Sequence, residues 1–408
     1  MQEAKLANEY FVVESQRLFR MNARTNPIVI IGTGLAGYNL AKEIRKLDAE
    51  YPLLLLTCDD GRSYSKPMLS TGYTKNKDAD GLAMAGVEQM RASLKADVRT
   101  GSRVNAIDRV AKTLQVDGES IAYESLVLAL GADVFRPDLC GDGGERVLSI
   151  NDLDDYARFR TAAADKKKII IIGGGLIGCE FANDLSNGGY QVEVVEPVGR
   201  VLPSLLPERA SEAVANGLAA LGVIFHFGHS VKGVWKHGDG VEVELSNGER
   251  LAGDLVLSAI GLRPRVSLAQ EAGLEVGRGV KTDRHLRTSD ASIYALGDCA
   301  EVDGKVLLYV LPLMAAARAL AKTLTGTDTP VQYPAMPVQI KTPACPVVVS
   351  PVLPGTAGNW EIDADGNDVK AVFRAPDGAV LGFALTGARA GNPAEKTELI
   401  QQLPPILG

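Results

Sequence analysis

An α/β fold, with two domains of strand–helix–strand design and a small C-terminal α+β domain, is predicted by three features of this 408-residue sequence. Two apolar tetrads, Ile28–Ile31 and Ile169–Ile172, run straight into glycine-rich turns. Each turn leads into a helical pattern and then a second apolar run ending in an acid. Beyond about Gly326 the composition changes to dense prolines and short β-branched runs such as Val347-Val348-Val349.

The elements follow in order. Residues 1–26 read as a poorly ordered extension, with a docking arm as the lesser reading and Met21 as an alternative start. Ile28–Ile31 is a continuous apolar strand of the kind a parallel sheet buries on both faces. After Gly32-Thr33-Gly34-Leu35-Ala36-Gly37, the apolar positions Leu40, Ile44 and Leu47 keep helical spacing, and Leu53–Leu56 leads to Cys58-Asp59. About 140 residues later the unit recurs: Ile169–Ile172, Gly173-Gly174-Gly175-Leu176-Ile177-Gly178, a helix through Phe181 and Leu185 closed by Gly188-Gly189, and a strand ending at Glu196. Apolar runs ending in the glycine turns at Gly131 and Gly261 supply a later strand to each copy, and Asp117-Gly118 and Asn247-Gly248 mark hairpins just before them. The expected domains are therefore 27–145 with 255–325, 146–254, and 326–408.

Composition excludes several functions. A hydrophobic content of 46% with 23% charged residues is globular rather than disordered. The net charge of −7 and 5% aromatic content oppose non-specific nucleic-acid binding. No run reaches the ~20 apolar residues that span a bilayer, and Val306–Ala317 is interrupted by Pro312. The five cysteines show no CxxC or CxxxxC pair, which argues against zinc clusters and dithiols and suits reduced thiols in a cytoplasm. None of the four histidines falls in a motif, and His226 and His229 read as surface or packing residues rather than metal ligands.

A strand–GxGxxG–helix unit has the design of a Rossmann-like dinucleotide-binding domain. Gly32 and Gly173 make the tight turn, Gly34 and Gly175 let backbone approach a pyrophosphate, and Gly37 and Gly178 let helix pack on strand. The first helical turns, at Leu35, Ala36, Leu176 and Ile177, offer N–H groups to phosphate. A structural turn without ligand is the alternative, weakened by two copies in the same context. Glu196 suits the adenosine ribose hydroxyls and repels a 2′-phosphate, which favours NAD(H); nearby Arg200 is expected to face solvent. Asp59 is the equivalent acid in the first unit, with Asp60 the weaker candidate. A third signal, Ile293–Leu296 entering Gly297-Asp298 before the helix after Pro312, puts a carboxylate where flavin ribityl hydroxyls bind. That helix N-terminus would stabilise the charge of a reduced flavin.

With these residues in place, the chain resembles the two-dinucleotide-fold flavoprotein disulfide reductase superfamily. Within it, the chain is most similar to the bacterial NADH-dependent reductases of rubredoxin. Beyond the glycine fingerprints, the specific stretches are Arg62–Ser70 (with Tyr64-Ser65-Lys66-Pro67), Leu176–Asp184, Gly297–Glu301 and Lys341–Pro346. The resemblance implies FAD in the first site and NADH as electron donor in the second. By motif position it implies FAD contacts at Thr33–Ala36, Cys58, Asp59, Val104, Asp298, Val310 and Lys341. Gly131 is counted with the FAD site and Gly261 with the NAD site. Lys66 and Glu180 match the catalytic charged pair flanking the flavin, the lysine stabilising an electron-rich ring and the glutamate holding the lysine. Spacing alone reads them as a solvated lysine and a helix-surface acid.

No cysteine lies between Cys58 and Cys140, so the disulfide relay of the wider superfamily is missing and electrons must leave the flavin directly. Cys179 and Cys299 read as small packing residues. The implied activity is that of a rubredoxin–NAD(+) reductase, passing electrons from NADH through FAD to rubredoxin one at a time and feeding an alkane hydroxylase system, by a cytoplasmic monomer with no metal, no nucleic-acid partner and no membrane insertion. A basic patch, with Lys66 and Lys341 as contributors, is expected to meet the acidic carrier. Two alternatives stay open: a reductase of a ferredoxin or of a nitric-oxide-reducing flavorubredoxin, and an NADH-sensing flavoprotein scaffold resembling apoptosis-inducing factor.

Overall fold

The structure, a computed structural model, describes residues 26–408. The expected N-terminal extension falls, but for Asn26, outside the described residues. The described chain divides into two compact units: one of residues up to Ser63, Ala85–Gly131 and Pro264–Val331, the other of Tyr64–Met84, Ala132–Arg263 and Gln332–Gly408.

The first unit is built on a five-stranded parallel sheet in the order Ile293–Ala295, Ser125–Leu128, Ile28–Ile31, Leu53–Leu56, Asp97–Arg99. Ile28–Ile30 and Leu55–Leu56 are fully buried, as a strand covered on both faces must be. Helices Leu35–Leu47 and Val310–Leu324 pack together beside it. The second begins two residues before Pro312, which sits in the first turn where a missing N–H breaks no helical bond. A three-stranded antiparallel sheet, Val104–Asp108, Thr113–Val116 and Glu119–Ala122, completes the unit. Its expected hairpin turns at Asp117 and Gly118, both at positive φ (49° and 88°), the geometry that matches strand twist in a two-residue turn.

The second unit repeats the parallel design in the order Val147–Leu148, Leu255–Ser258, Lys168–Ile172, Gln191–Glu196, Ile224–Phe227. The hairpin at Asn247-Gly248 joins Gly240–Leu245 to Arg250–Gly253. The C-terminal part forms an antiparallel sheet, Val338–Ile340, Val347–Ser350, Val380–Thr386, Asp368–Arg374, Asn359–Asp365, followed by helix Pro393–Gln402.

Three expected domain limits differ from this division. Leu255–Ser258 pairs with Ile169–Ile172 and so belongs to the second sheet, although 255–325 was expected in the first domain. Residues 64–84 and 132–145, expected in the first domain, group with the second unit. Residues 332–408 share that unit because Val347, Val349, Val369, Ala371 and Ala384 enter one apolar cluster with Ile169, Ile171, Val192 and Leu185. Helix Glu208–Ala220 seals the junction: a Cβ on Gly217 would stand 2.6 Å from Cys345 Cβ and 2.9 Å from the Ala344 carbonyl oxygen. Gly217→Val is expected to destabilise the protein by about 1–3 kcal/mol through overpacking, read as a lower thermal midpoint.

Candidate functional site

In the first unit the sheet brings the expected FAD motifs to the C-terminal ends of its strands. Gly32 takes φ +113°, and a Cβ there would strike the Ala129 carbonyl at 2.3 Å; one on Gly37 would lie 1.9 Å from the Gly32 carbonyl. A Cβ on Gly34 would meet nothing within 4 Å. The outer two glycines are thus demanded by packing, and the middle one opens on space where a phosphate has room. Helix Leu35–Leu47 starts without a side-chain cap, so its first-turn amides are available to an anion.

Asp59 receives Thr57 Oγ1 (2.7 Å), Gly61 N–H (2.9 Å) and Thr33 Oγ1 (3.3 Å), all on Oδ1. Tyr38 donates its hydroxyl to the Gly61 carbonyl. Burial, then Asp59, pushes the Tyr38 phenol up to about 12, which keeps it a neutral donor. Gly297 packs so tightly that a Cβ would lie 2.8 Å from Ala36 Cβ, which places the Asp298 turn against the glycine turn. Val310 opens its helix, Val104 opens the antiparallel sheet, and Gly131 takes φ +73° after its strand. Cys58 is exposed, its thiol 3.8 Å from the Ser102 carbonyl.

The second unit repeats the turn. Gly173 takes φ +102°, a Cβ on Gly178 would lie 1.9 Å from the Gly173 carbonyl, and the Cβ direction of Gly175 is again empty within 4 Å. Glu196 is buried and bound to its own turn, Oε2 accepting from Gly174 N–H (2.7 Å) and Oε1 from Val198 N–H (2.9 Å). Each oxygen retains a lone pair for a ribose hydroxyl. Gly261, at φ +109°, closes strand Leu255–Ser258. Arg200, expected to face solvent, is instead half-buried, with Nη2 on the Pro203 carbonyl at 3.3 Å. His226 is neither a surface nor a purely packing residue: it shares Glu193 with Lys168, at 2.9 and 2.6 Å.

The expected charged pair takes a different form. Glu180 is 1% exposed and accepts from the Lys341 backbone N–H (2.8 Å) on Oε1, and from Ser70 Oγ (2.6 Å) and the Lys341 ammonium on Oε2. The lysine seen on Glu180 is therefore Lys341, where Lys66 was expected. Lys66 opens the 3-10 segment Lys66–Thr71, which delivers Ser70. Because its ammonium is engaged on a buried acid, Lys341 is not the free docking charge the sequence suggested.

Sequence reasoning assigned no role to the rest of this arrangement. Glu180, Asn183, Asp184 and Asn187 lie at i, i+3, i+4 and i+7 on helix Leu176–Asn187, and the first three are 1% exposed. Asn183 Oδ1 accepts from Ala344 N–H (3.0 Å); Asp184 accepts from Tyr73 N–H (3.0 Å) and Thr74 N–H (2.7 Å); Asn187 donates to Thr74 Oγ1 (3.1 Å). The signal was present: a polar stripe at helical period beside the apolar Phe181, Ala182 and Leu185.

The cysteines are free thiols. Cys179 faces the Gly174 carbonyl at 3.3 Å and Cys299 the Leu128 carbonyl at 3.3 Å. Burial pushes the Cys299 thiol up to about 11 and Cys179 and Cys345 upward as well, so they are protonated packing groups.

A model of the pyridine nucleotide-disulphide oxidoreductase family matches residues 26–321. The chain belongs to that family. The family uses FAD and NAD(H), and the two open glycine turns with uncapped helices fit two dinucleotides. A second model, described as a rubredoxin binding C-terminal domain, matches residues 330–403. This oxidoreductase is 59% identical over 384 residues to a rubredoxin-NAD(+) reductase of Alcanivorax borkumensis, covering 94% of this chain and all of the relative. It is 43% identical to a rubredoxin-NAD(+) reductase of Acinetobacter baylyi, over 94% of this chain and 99% of the relative. Among solved structures it is similar to the covalent putidaredoxin reductase–putidaredoxin complex, with a TM-score of 0.83, 26% identity and coverage of 93% and 94%. No helix among the described residues is long and apolar enough to cross a membrane.

Two outcomes check the site. A thiol reagent should modify exposed Cys140 in the folded protein, and Cys58 once FAD is removed, and reach Cys179, Cys299 and Cys345 only after unfolding, as peptide mass analysis would show. Lys341→Met leaves a buried carboxylate without its cation and should cost at least about 2 kcal/mol after discounting the lysine's partial exposure, seen as a fall in thermal midpoint.

Proposed function

We propose that this chain is an NADH-dependent FAD flavoprotein that reduces rubredoxin, a cytoplasmic rubredoxin–NAD(+) reductase serving an alkane-hydroxylating system. The observation that carries this reading is one chain joining two open dinucleotide turns to a domain matched by the rubredoxin-binding model at 330–403. The names of the relatives support it. FAD, when bound, accepts the hydride of NADH and gives up the electrons singly, which an iron carrier requires. Overall, NADH and two oxidised carriers become NAD+, a proton and two reduced carriers.

The chain's own residues bind and orient. The amides that follow Gly34 hold the FAD pyrophosphate, with Asp59, Cys58 and the Val104 backbone at the adenosine and Asp298 and Val310 at the flavin end. The amides that follow Gly175 hold the NADH pyrophosphate, and Glu196 takes the ribose hydroxyls. Lys66, with Glu180 and the lysine it holds, tunes the field on the flavin. The buried, protonated state of three thiols supports direct electron exit without a sulfur relay.

The segment 330–403 carries five basic and seven acidic residues, a net −2, so the attraction for an acidic carrier must come from local placement rather than from that domain's overall charge.

A carrier assay tests the reading: NADH with enzyme should reduce rubredoxin faster than a [2Fe–2S] ferredoxin, and equal or faster ferredoxin reduction would overturn it. Glu196→Ser should raise the KM for NADH about tenfold or more and narrow the preference over NADPH, measured in paired steady-state assays.

A further inference from the structure

We propose that Ser70 and Asp184 are positioning residues for the Glu180–Lys341 pair, which rests on the reading above that Glu180 acts in flavin reduction. Burying two carboxylates and an amide on one helix face is costly unless every oxygen finds a donor. The donors come from outside the helix, and those of Glu180 and Asp184 include one short stretch. Ser70 reaches Glu180, Tyr73 and Thr74 give their N–H groups to Asp184, and Thr74 Oγ1 takes the Asn187 amide. The Ser70 hydroxyl lies 2.6 Å from Glu180 and 3.3 Å from the Pro67 carbonyl, so its single proton belongs to the carboxylate.

The far side of this stretch is braced as firmly. The Tyr73 ring packs edge-on against Tyr156, Phe159 and Tyr190, with centroids 6.1, 6.4 and 5.3 Å away. Arg160 covers the ring at 4.4 Å, and Arg160 with the Tyr156 hydroxyl holds the Lys77 carbonyl at 3.1 and 3.0 Å. A Cβ on Gly72 would lie 2.1 Å from Tyr156 Oη, so the backbone passes too close to that ring for any side chain to fit there.

Asp184 therefore fixes the backbone at 73–74, that backbone delivers Ser70, and Ser70 shares Glu180 Oε2 with the Lys341 ammonium. Without the hydroxyl, that oxygen is held only by the end of a long, rotatable side chain. The carboxylate can then turn, and the ammonium moves with it.

The test uses the full-length FAD-loaded protein and the variants Ser70→Ala, Ser70→Thr, Asp184→Asn and the Ser70→Ala/Asp184→Asn double. Flavin reduction by NADH is followed by stopped flow, and trypsin cleavage at exposed Lys75 and Lys77 by mass spectrometry. Ser70→Ala should lower the limiting reduction rate about tenfold and change half-saturation by NADH less than twofold, and Ser70→Thr should restore the rate to within threefold. Asp184→Asn replaces one acceptor by a donor. It should speed cleavage at Lys75 and Lys77 at least fivefold, slow reduction like Ser70→Ala, and add little in the double variant.

Unchanged cleavage in Asp184→Asn, an unaffected rate in Ser70→Ala, equal losses in Ser70→Ala and Ser70→Thr, or independent losses in the double variant would each overturn the proposal. Failure of NADH to reduce the wild-type flavin would instead remove the functional reading; the cleavage result would still decide the Asp184 mount.

Discussion

A buried carboxylate must be surrounded by donors, and Glu180 shows how much structure that requirement can organise. Its two oxygens collect a hydroxyl from the 66–71 segment and both an amide and an ammonium from Lys341. Helix Leu176–Asn187 begins, uncapped, at the second glycine turn, so the element that leaves its first-turn amides open also holds two remote segments by its polar stripe. Ligand geometry and loop placement thus depend on one rigid body. That is why an electrostatic cost is tolerated on a helix face that apolar packing would have satisfied.

The two glycine turns are near copies in backbone, yet their acids are held differently. Asp59 is exposed and takes three donors on one oxygen, two of them hydroxyls. Glu196 is buried and takes one backbone amide on each oxygen. Two hydroxyls can turn to admit a ligand's own groups, whereas backbone amides cannot.

Much of this was legible in the chain. Apolar tetrads, glycine positions, hairpin turns and terminal acids all depend on local sterics, and the structure places them as their spacing implies. The domain limits were not legible in the same way. Strand Leu255–Ser258 reads as apolar in either sheet, and only its register beside Ile169–Ile172 assigns it. The solvent-facing reading of Arg200 failed because the carbonyl three residues on, at Pro203, is turned back to accept from its guanidinium, a turn invisible to composition. The lysine on Glu180 was misassigned for a related reason: motif order names two lysines, and distance chooses between them.

Taken alone, the sequence determined that two glycine turns of dinucleotide-binding design exist, which acid ends each, and that no two cysteines stand in CxxC or CxxxxC spacing, because each is a matter of residue type at short range. The tertiary structure decided which loops a buried polar stripe captures and which ammonium answers Glu180. Those choices join residues more than a hundred positions apart, and a buried charge is satisfied by whatever donor the fold brings within about 3 Å, not by the one nearest in a motif.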